Sequence, residues 1–551
     1  MKIAGLCSSH DCSFAVLENG IPVIHAELER YIRKKEPEGD SFQFLKERYP
    51  DYKDIKHFSH FLDWDHKVKF SYPGSYKEMN EIIKKNNGDF WEPGHHESHA
   101  ANAFFSSNYD KALIITIDGG GLDSWTNEQG ALVLQDTAFT IWAGENNKIK
   151  PLQVVQLENL NIGGAWQRIT KKVFGLSNGY PKGNQAGTVM AMACMGDPKK
   201  FKGFFTNHQF LNSHYYYANR LESFSGDEIG GEYFNFQLLE KIAFESEKNR
   251  FDIASALQEE TERIVRAIFE KTFKTYGTEY RNFCFSGGVV LNSVLMGKLY
   301  DWFDKQIDNL YVCPVPYDSG LSIGSAQYIW HQVLDNPRIT WEDNATPYLG
   351  ELYGDKIVDE TIIKYADKIT VKKITDNGVL DLLADGDIVS VFGGRSESGR
   401  RALGNRSILA DPRCPNMKDK INEKVKHRQW FRPFAPSILR EDVSEWFVRD
   451  IDSPYMSFVI KFKKEVQSRV PAVVHHDGTA RLQTVTKNDN EWYHKFLTKW
   501  KEKSGVPILL NTSFNDREPI VETPEDAIKC FLGTDIDSLY FFEQGLLVTK
   551  A

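Results

Sequence analysis

Three short stretches of this chain combine residue types able to do chemistry. The first is His95-His96-Glu97-Ser98-His99-Ala100-Ala101-Asn102. In a helix, His95 and His99 fall one turn apart on one face, a spacing at which two imidazoles reach a single metal ion. Only Ser98 separates Glu97 from His99, so this is not the HExxH motif of a zincin protease. Asp118, which ends the next apolar strand, and Asp318, in Tyr317-Asp318-Ser319-Gly320, are the carboxylates that would complete such a site. The same histidines would equally suit a core or surface position without any metal. The second stretch is His10-Asp11, in a polar loop between apolar runs. A histidine flanked by an acid there can serve as a general base, or as an ordinary loop residue.

The third is Gly393-Gly394-Arg395-Ser396-Glu397-Ser398-Gly399-Arg400-Arg401-Ala402-Leu403-Gly404-Asn405-Arg406, together with the basic residues beyond it. Between Arg395 and Arg440 twelve Lys or Arg stand against four Asp or Glu, inside a chain whose net charge is −9. Such a run is commonly a solvated face. Interleaved with Gly, Asn, Ser and Pro-Phe-Ala-Pro, it reads better as a folded anion pocket. His476-Asp477-Gly478-Thr479-Ala480-Arg481-Leu482-Gln483 and Leu510-Asn511-Thr512-Ser513-Phe514-Asn515 add short polar side chains suited to a planar amide or a phosphate, or to plain polar turns.

These residues need elements to hold them. Lys2–Cys7, Ser13–Glu18 and Ile21–Leu28 read as three strands, with an Asn19-Gly20 hairpin between the last two. Ala112–Asp118, a Gly119-Gly120-Gly121 loop and Ala131–Leu134 repeat the strand–loop–strand pattern. Asp252–Phe273 carries Ile253, Leu257, Ile264, Val265, Ile268 and Phe269 at helical spacing. Asn282–Phe285 is a short strand running into Ser286-Gly287-Gly288, where a nucleotide could meet bare backbone. A helix from Asn416 to about Arg428 would turn Met417, Ile421 and Val425 inward, with Asn422 and Lys426 on a neighbouring face. The Pro-, Asn- and Gly-rich segment Asp335–Asp355 reads as a domain boundary.

Length and composition set limits. A chain of 551 residues, 41% hydrophobic and 26% charged, is expected to form two or more globular domains. The apolar runs are strand-length and the N-terminus lacks the apolar stretch of a signal peptide, so neither membrane insertion nor export is expected. Seven cysteines without a CxxC pair fit a reducing, cytoplasmic setting. The acidic balance argues against nucleic acid as the partner.

Together, GRSESGRRALGNRSILADPR, INEKVKHRQWFRPFAPSIL, DGTARLQTV, GVPILLNTSFN and HHESHAANAFFSS strongly resemble the bacterial O-carbamoyltransferases that act on nodulation factors, cephems, aminoglycosides and ansamycins. The resemblance runs in order from His10-Asp11 to Pro524-Glu525-Asp526-Ala527. It implies an α/β protein in which residues 1–350 form an actin-like ATPase domain, similar to the threonylcarbamoyl-transferase subunit of the tRNA-modifying machinery. Residues 351–551 would form a YrdC-like domain. Carbamoyl phosphate and ATP would give carbamoyl-AMP and pyrophosphate in the second domain. The carbamoyl group would then pass to a hydroxyl of a small natural product or sugar in the first. The resemblance assigns a divalent transition metal, iron(II) by preference, to His95, His99, Asp118 and Asp318. It places His10 beside the acceptor and sets Lys35, Gly287, Gly288 and Asn292 at carbamoyl-AMP. It gives Arg401, Arg406, Lys426, Arg432, Arg481, Asn511 and Ser513 to carbamoyl phosphate and ATP, with magnesium as an accompanying ion.

The chain departs from the family pattern at Arg400, where proline is usual, and at Ala186-Gly187-Thr188, where Glu-Gly-Lys is usual. The acceptor pocket is expected from Leu45–Asn87 and Gly164–Phe224, and a homodimer is compatible with the family. Two other readings remain: a threonylcarbamoyl-type tRNA modification enzyme, and a non-catalytic actin-like nucleotide-binding protein.

Overall fold

The apolar alternation of the first thirty residues becomes a meander of β1 (Lys2–Cys7), β2 (Ser13–Glu18) and β3 (Ile21–Glu27), the last two joined at Asn19-Gly20. In this computed structural model the described residues are 1–126, 130–157, 160–176, 185–206, 236–339 and 347–551. Parts of Gly164–Phe224 and of the boundary segment Asp335–Asp355 therefore lie outside them. The chain divides into two compact units. The first comprises Met1–Glu29, Lys34–Asn292 and Leu299–Ala345; the second comprises Arg30–Arg33, Ser293–Lys298 and Thr346–Ala551.

The first unit holds two five-stranded sheets. One runs β3-β2-β1-β4-β5, with β4 (His57–His60) and β5 (Phe90–Trp91) parallel to β1. After α1 (His95–Phe105) come β6 (Lys111–Thr126), β7 (Leu132–Glu145) and β8 (Lys148–Gln156), a second meander. The long helix α2 (Glu247–Tyr276) then leads to β9 (Asn282–Ser286) and β10 (Asn309–Val312), which add parallel to β6. The second order, β8-β7-β6-β9-β10, repeats the first: three antiparallel strands, then two parallel ones on the far side of the leading strand. This duplication is the arrangement expected of the actin-like fold. Helix α3 (Leu321–Tyr328) packs on β1 and on α1.

One sequence expectation is overturned here. Gly119-Gly120-Gly121 is not a loop between two strands, because β6 runs straight through it and pairs with β7 on both sides. The glycines absorb a register shift between Ile117 and Gly121. The physical reason lies across the sheet: a Cβ on Gly121 would stand 2.2 Å from the His95 ring. Backbone must pass there without a side chain.

The second unit is a mixed nine-stranded sheet. Its elements in chain order are β11 (Ile369–Lys373), α4 (Asp376–Ala384), β12 (Val389–Phe392), β13 (Arg406–Ala410), α5 (Met417–Lys424), β14 (Ala435–Leu439), β15 (Phe458–Lys461) and β16 (Thr479–Val485). Next come α6 (Glu491–Ser504), β17 (Ile508–Ser513), α7 (Pro524–Leu532), β18 (Ser538–Phe541) and β19 (Leu546–Lys550). The spatial order is β11-β19-β18-β12-β13-β17-β14-β16-β15. Helices α4 and α6 close one face, burying Leu380, Leu383, Tyr493, Phe496 and Trp500 against Val389, Val391 and Leu509. The α/β class expected from the sequence is what both units show.

A second expectation fails at α5, which ends at Lys424 rather than near Arg428. His427 takes φ = +42°, incompatible with a continuing helix. Met417, Ile421 and Val425 are nevertheless buried as the four-residue spacing requires. No helix among the described residues is long and apolar enough to cross a membrane.

Candidate active site

In the first unit, α1, β6 and the turn before α3 converge on four side chains. His95 and His99 come from one face of α1, Asp118 from β6 and Asp318 from the turn. One donor atom from each lies within 4.8 Å of all the others. Both histidine Nε2 atoms stand 3.1 Å from Asp118 Oδ2, and they stand 3.7 and 3.5 Å from Asp318 Oδ1. Two imidazoles with two carboxylates suit a divalent transition metal, whose borderline character accepts both nitrogen and oxygen.

Neighbouring groups hold these donors in a ligating state. Ser286 has one hydroxyl proton and donates it to Pro316 O at 3.2 Å. His99 Nδ1, 3.1 Å from the same oxygen, must then carry a proton and donate it to Ser286. With Nδ1 so engaged, a metal ion that displaced the second ring proton would find the His99 Nε2 lone pair facing the cluster. Asp118 Oδ1 accepts from the N–H groups of Gly119 and Gly288, at 2.8 and 3.0 Å, which leaves Oδ2 for the cluster.

The electrostatics are those of a site that holds positive charge. Burial pulls the His99 pKa down, but its bonds to Asp118 and Asp318 more than reverse this, to about 9. Burial pushes Asp118 up, and its bonds to His95 and His99 outweigh that, so it lies well below the usual carboxylate range. A metal ion would supply in one body the charge these carboxylates otherwise draw from protons.

His10 stands at the rim, its side chain 57% exposed. Its Nε2 is 3.2 Å from Asp318 Oδ2, and its Nδ1 is 3.2 Å from Asp11. Loss of solvent lowers its pKa, but Asp318 and Asp11 raise it more, to about 10. The remaining assignments fall differently. Gly287 N–H donates to Pro316 O, and Gly288 N–H is engaged by Asp118, so this backbone serves the cluster. Asn292 and Gln258 exchange amide hydrogen bonds at 2.8 and 3.4 Å. Lys35 is exposed, on the turn whose Glu36 faces His10.

The second unit gathers cations. Lys426, buried, reaches Asn515 O at 2.8 Å and Asn515 Oδ1 at 2.7 Å, and also bonds Ser513 O. These acceptors are neutral. Burial, then Arg428, hold Lys426 well below its ordinary pKa. Burial, then Arg432 and Arg481, do the same to Arg428. Burial, then Arg401 and Arg432, do so for Arg481, and burial brings Arg432 to about 10. Arg401, Arg428, Arg432 and Arg481 are half-buried. Like charges crowded together repel one another, and an anion placed among them removes that penalty. Asn511, on β17, donates to Ala402 O and Gln483 Oε1 beside them.

Arg406 differs from the other arginines. It is fully buried, donates to Gly393 O and Asn405 O, and lies over the Phe392 ring at 3.7 Å. It shapes the glycine loop from within. Three residues went unassigned from the sequence. Glu397 accepts from the N–H groups of Leu403, Asn405 and Arg406 at 2.6, 2.9 and 3.2 Å, folding the basic loop around itself. Asn515 holds Lys426. Arg428 lies past the end of α5, beyond the turn at His427, close enough to Arg432 to feel its charge.

The family model described as Carbamoyltransferase N-terminus matches residues 47–327, and that described as Carbamoyltransferase C-terminus matches 380–549. The chain belongs to the carbamoyltransferase family. This carbamoyltransferase is 35% identical to the nodulation protein NolNO of Sinorhizobium fredii, over 81% of this chain and 62% of the relative. It is 34% identical to the nodulation protein NolO of Bradyrhizobium diazoefficiens, over 81% and 77%. An uncharacterized Synechocystis protein is 32% identical over 81% and 74%. Among solved structures, full-length HypF in a phosphate- and nucleotide-bound form aligns at 15% identity and a TM-score of 0.35, covering 61% of this chain and 47% of that one. A ROK hexokinase from Thermus thermophilus aligns at 11% and 0.33, covering 59% and 98%. Neither of these distant likenesses bears on function.

Proposed function

We propose that this carbamoyltransferase works in two steps at two centres. Carbamoyl phosphate and ATP bind among Lys426, Arg428, Arg432, Arg481 and Arg401, where the cations offset the mutual repulsion of two polyanions. A carbamoyl oxygen attacks the α-phosphorus, pyrophosphate leaves, and the phosphate of carbamoyl phosphate is released with consumption of one water. The product is carbamoyl-AMP. At the first unit's cluster, an acceptor hydroxyl attacks the carbamoyl carbon and AMP departs; His10 would take the hydroxyl proton once a cation among the four donors offsets the charge of Asp318 that otherwise keeps its ring protonated.

His95, His99, Asp118 and Asp318 would hold a divalent transition metal. When bound, such an ion supplies Lewis-acid polarisation of the carbamoyl oxygen. Asp318 orients His10 from one side while serving the cluster from the other. The acceptor is a hydroxyl of a small natural product or sugar.

The observation that carries this reading is the crowding of Arg428, Arg432 and Arg481, whose guanidinium pKa values fall through burial, and for Arg428 and Arg481 through the other arginines pressing on them. Its test is product analysis. ATP should be split to AMP and pyrophosphate, only in the presence of carbamoyl phosphate. ADP as the main product, or replacement of carbamoyl phosphate by bicarbonate plus threonine, would overturn it; the second outcome would favour the tRNA-modifying reading.

A further inference from the structure

Helix α1 begins at a residue that cannot cap it. Its N-cap is Gly94, which has no side chain to receive the free N–H groups of the first turn. Glu97 reaches back to the Gly94 N–H at 3.1 Å, which satisfies the chain before the helix but none of those donors. They are met instead from another element. Asp123, on β6, accepts from the His96 N–H at 2.8 Å and the Glu97 N–H at 3.4 Å through Oδ1. Its second oxygen lies 2.9 Å from His96 Nδ1. Asp123 and His96 are both fully buried, and His96 Nε2 has no hydrogen-bond partner among the described residues.

The glycine is part of the same device, since a Cβ on Gly94 would stand 2.3 Å from Asp123 Oδ1. Asp123 also lies on the strand that carries Asp118. One strand therefore supplies both a donor of the cluster and the cap of the helix bearing the two histidines. The bulge at Gly119–Gly121 separates the two aspartates and lets each meet a different part of α1.

We propose that Asp123 is a positioning residue that sets the register of α1 against β6, and so fixes His95 and His99 relative to Asp118. His96, whose ring braces the second carboxylate oxygen, is its partner. Asp123 does not touch the cluster and acts through the first helical turn. A negative charge there also interacts favourably with the positive end of the helix. Without it, the turn frays and the His95 ring loses its fixed distance from Asp118. The proposal rests on the metal-binding reading of the four-residue cluster.

Cobalt(II) titration of the full chain, followed by its d–d absorption, tests it. Wild-type protein that binds no cobalt would overturn the metal reading itself, independently of Asp123. Given wild-type binding, Asp123→Ala should weaken cobalt affinity by at least about tenfold and broaden the spectrum. Carbamoyl-phosphate-dependent pyrophosphate release, a reaction of the other unit, should stay near wild type. Asp123→Asn keeps an acceptor for the helix amides and should fall between the two, about threefold weaker. Asp123→Ala with wild-type affinity and spectrum would overturn the proposal. Should Asp123→Ala fail to fold, Asp123→Asn decides: unchanged affinity would overturn the proposal, and a loss of about threefold or more would support it.

Discussion

At the scale of single residues, the cluster depends on groups that never face the substrate. His95→Ala or His99→Ala should abolish binding of a transition metal, expected at about one ion per chain, and leave the fold intact; elemental analysis and circular dichroism check both halves. Ser286→Ala is subtler. It removes the acceptor that holds the proton on His99 Nδ1, and metal affinity should fall roughly 10- to 100-fold with the ligand set complete. Full occupancy at unchanged affinity would show that the tautomer is fixed by something else. The histidine pair was legible in the sequence because a spacing of four is a property of any helix. Ser286 was not, since nothing in Ser286-Gly287-Gly288 announces that its hydroxyl will meet a ring 187 positions earlier.

At the scale of elements, the basic loop between β12 and β13 is organised by one carboxylate. Glu397 is buried and its Oε1 receives three backbone N–H groups. Removing a charged acceptor of this kind leaves those donors unsatisfied, at about 3 kcal/mol. Glu397→Ala should lower the melting temperature and reduce adenylate formation by more than about 30-fold, because Arg401 and Arg406 lose their fixed backbone. Metal content should not change. Normal pyrophosphate release by this variant would mean the loop is held from elsewhere. The two expectations that failed also belong to this scale. Three consecutive glycines signal a turn by local preference, and it takes neighbours from other elements, the His95 ring beside Gly121 and Leu157 beside Gly120, to explain two of those that β6 carries. The inward spacing of Met417, Ile421 and Val425 was right as far as the C-cap, where the Val425 N–H still donates to Ile421 O, and the pattern stops there.

At the scale of the molecule, the proposed division of labour makes opposite demands on two sets of variants. Lys426→Ala and Arg481→Ala each remove a charge that would face substrate phosphate. Each should cost ~2–4 kcal/mol in adenylate formation, roughly 30- to 1000-fold. Given carbamoyl-AMP directly, both should still transfer the carbamoyl group. His10→Ala and Asp118→Ala should form the adenylate and fail at transfer. If both classes of variant block the same half-reaction, there is one active site and the two-centre scheme falls. The duplicated sheet order was readable only as a hint, because hairpins followed by glycines are common. What decides it is the parallel addition of β4 to β1 and of β9 to β6, pairings between distant segments that no local pattern encodes.

The four donors of the cluster are unevenly spaced along the chain, and this bears on the order in which the site can assemble. His95, His99 and Asp118 fall within 23 residues of one another in sequence, whereas Asp318 comes about 200 residues later. By loop-closure entropy alone, bringing in the last donor costs ~2 kcal/mol more than joining the first three. During synthesis from the N-terminus, a three-donor site can exist while α2, β9 and β10 are still absent. Asp318 arrives only with the turn that precedes α3, the helix that packs on both β1 and α1. The fourth donor is therefore a report of completed folding: the cluster closes only when the duplicated half has docked, and a partly folded chain would offer a metal three donors rather than four.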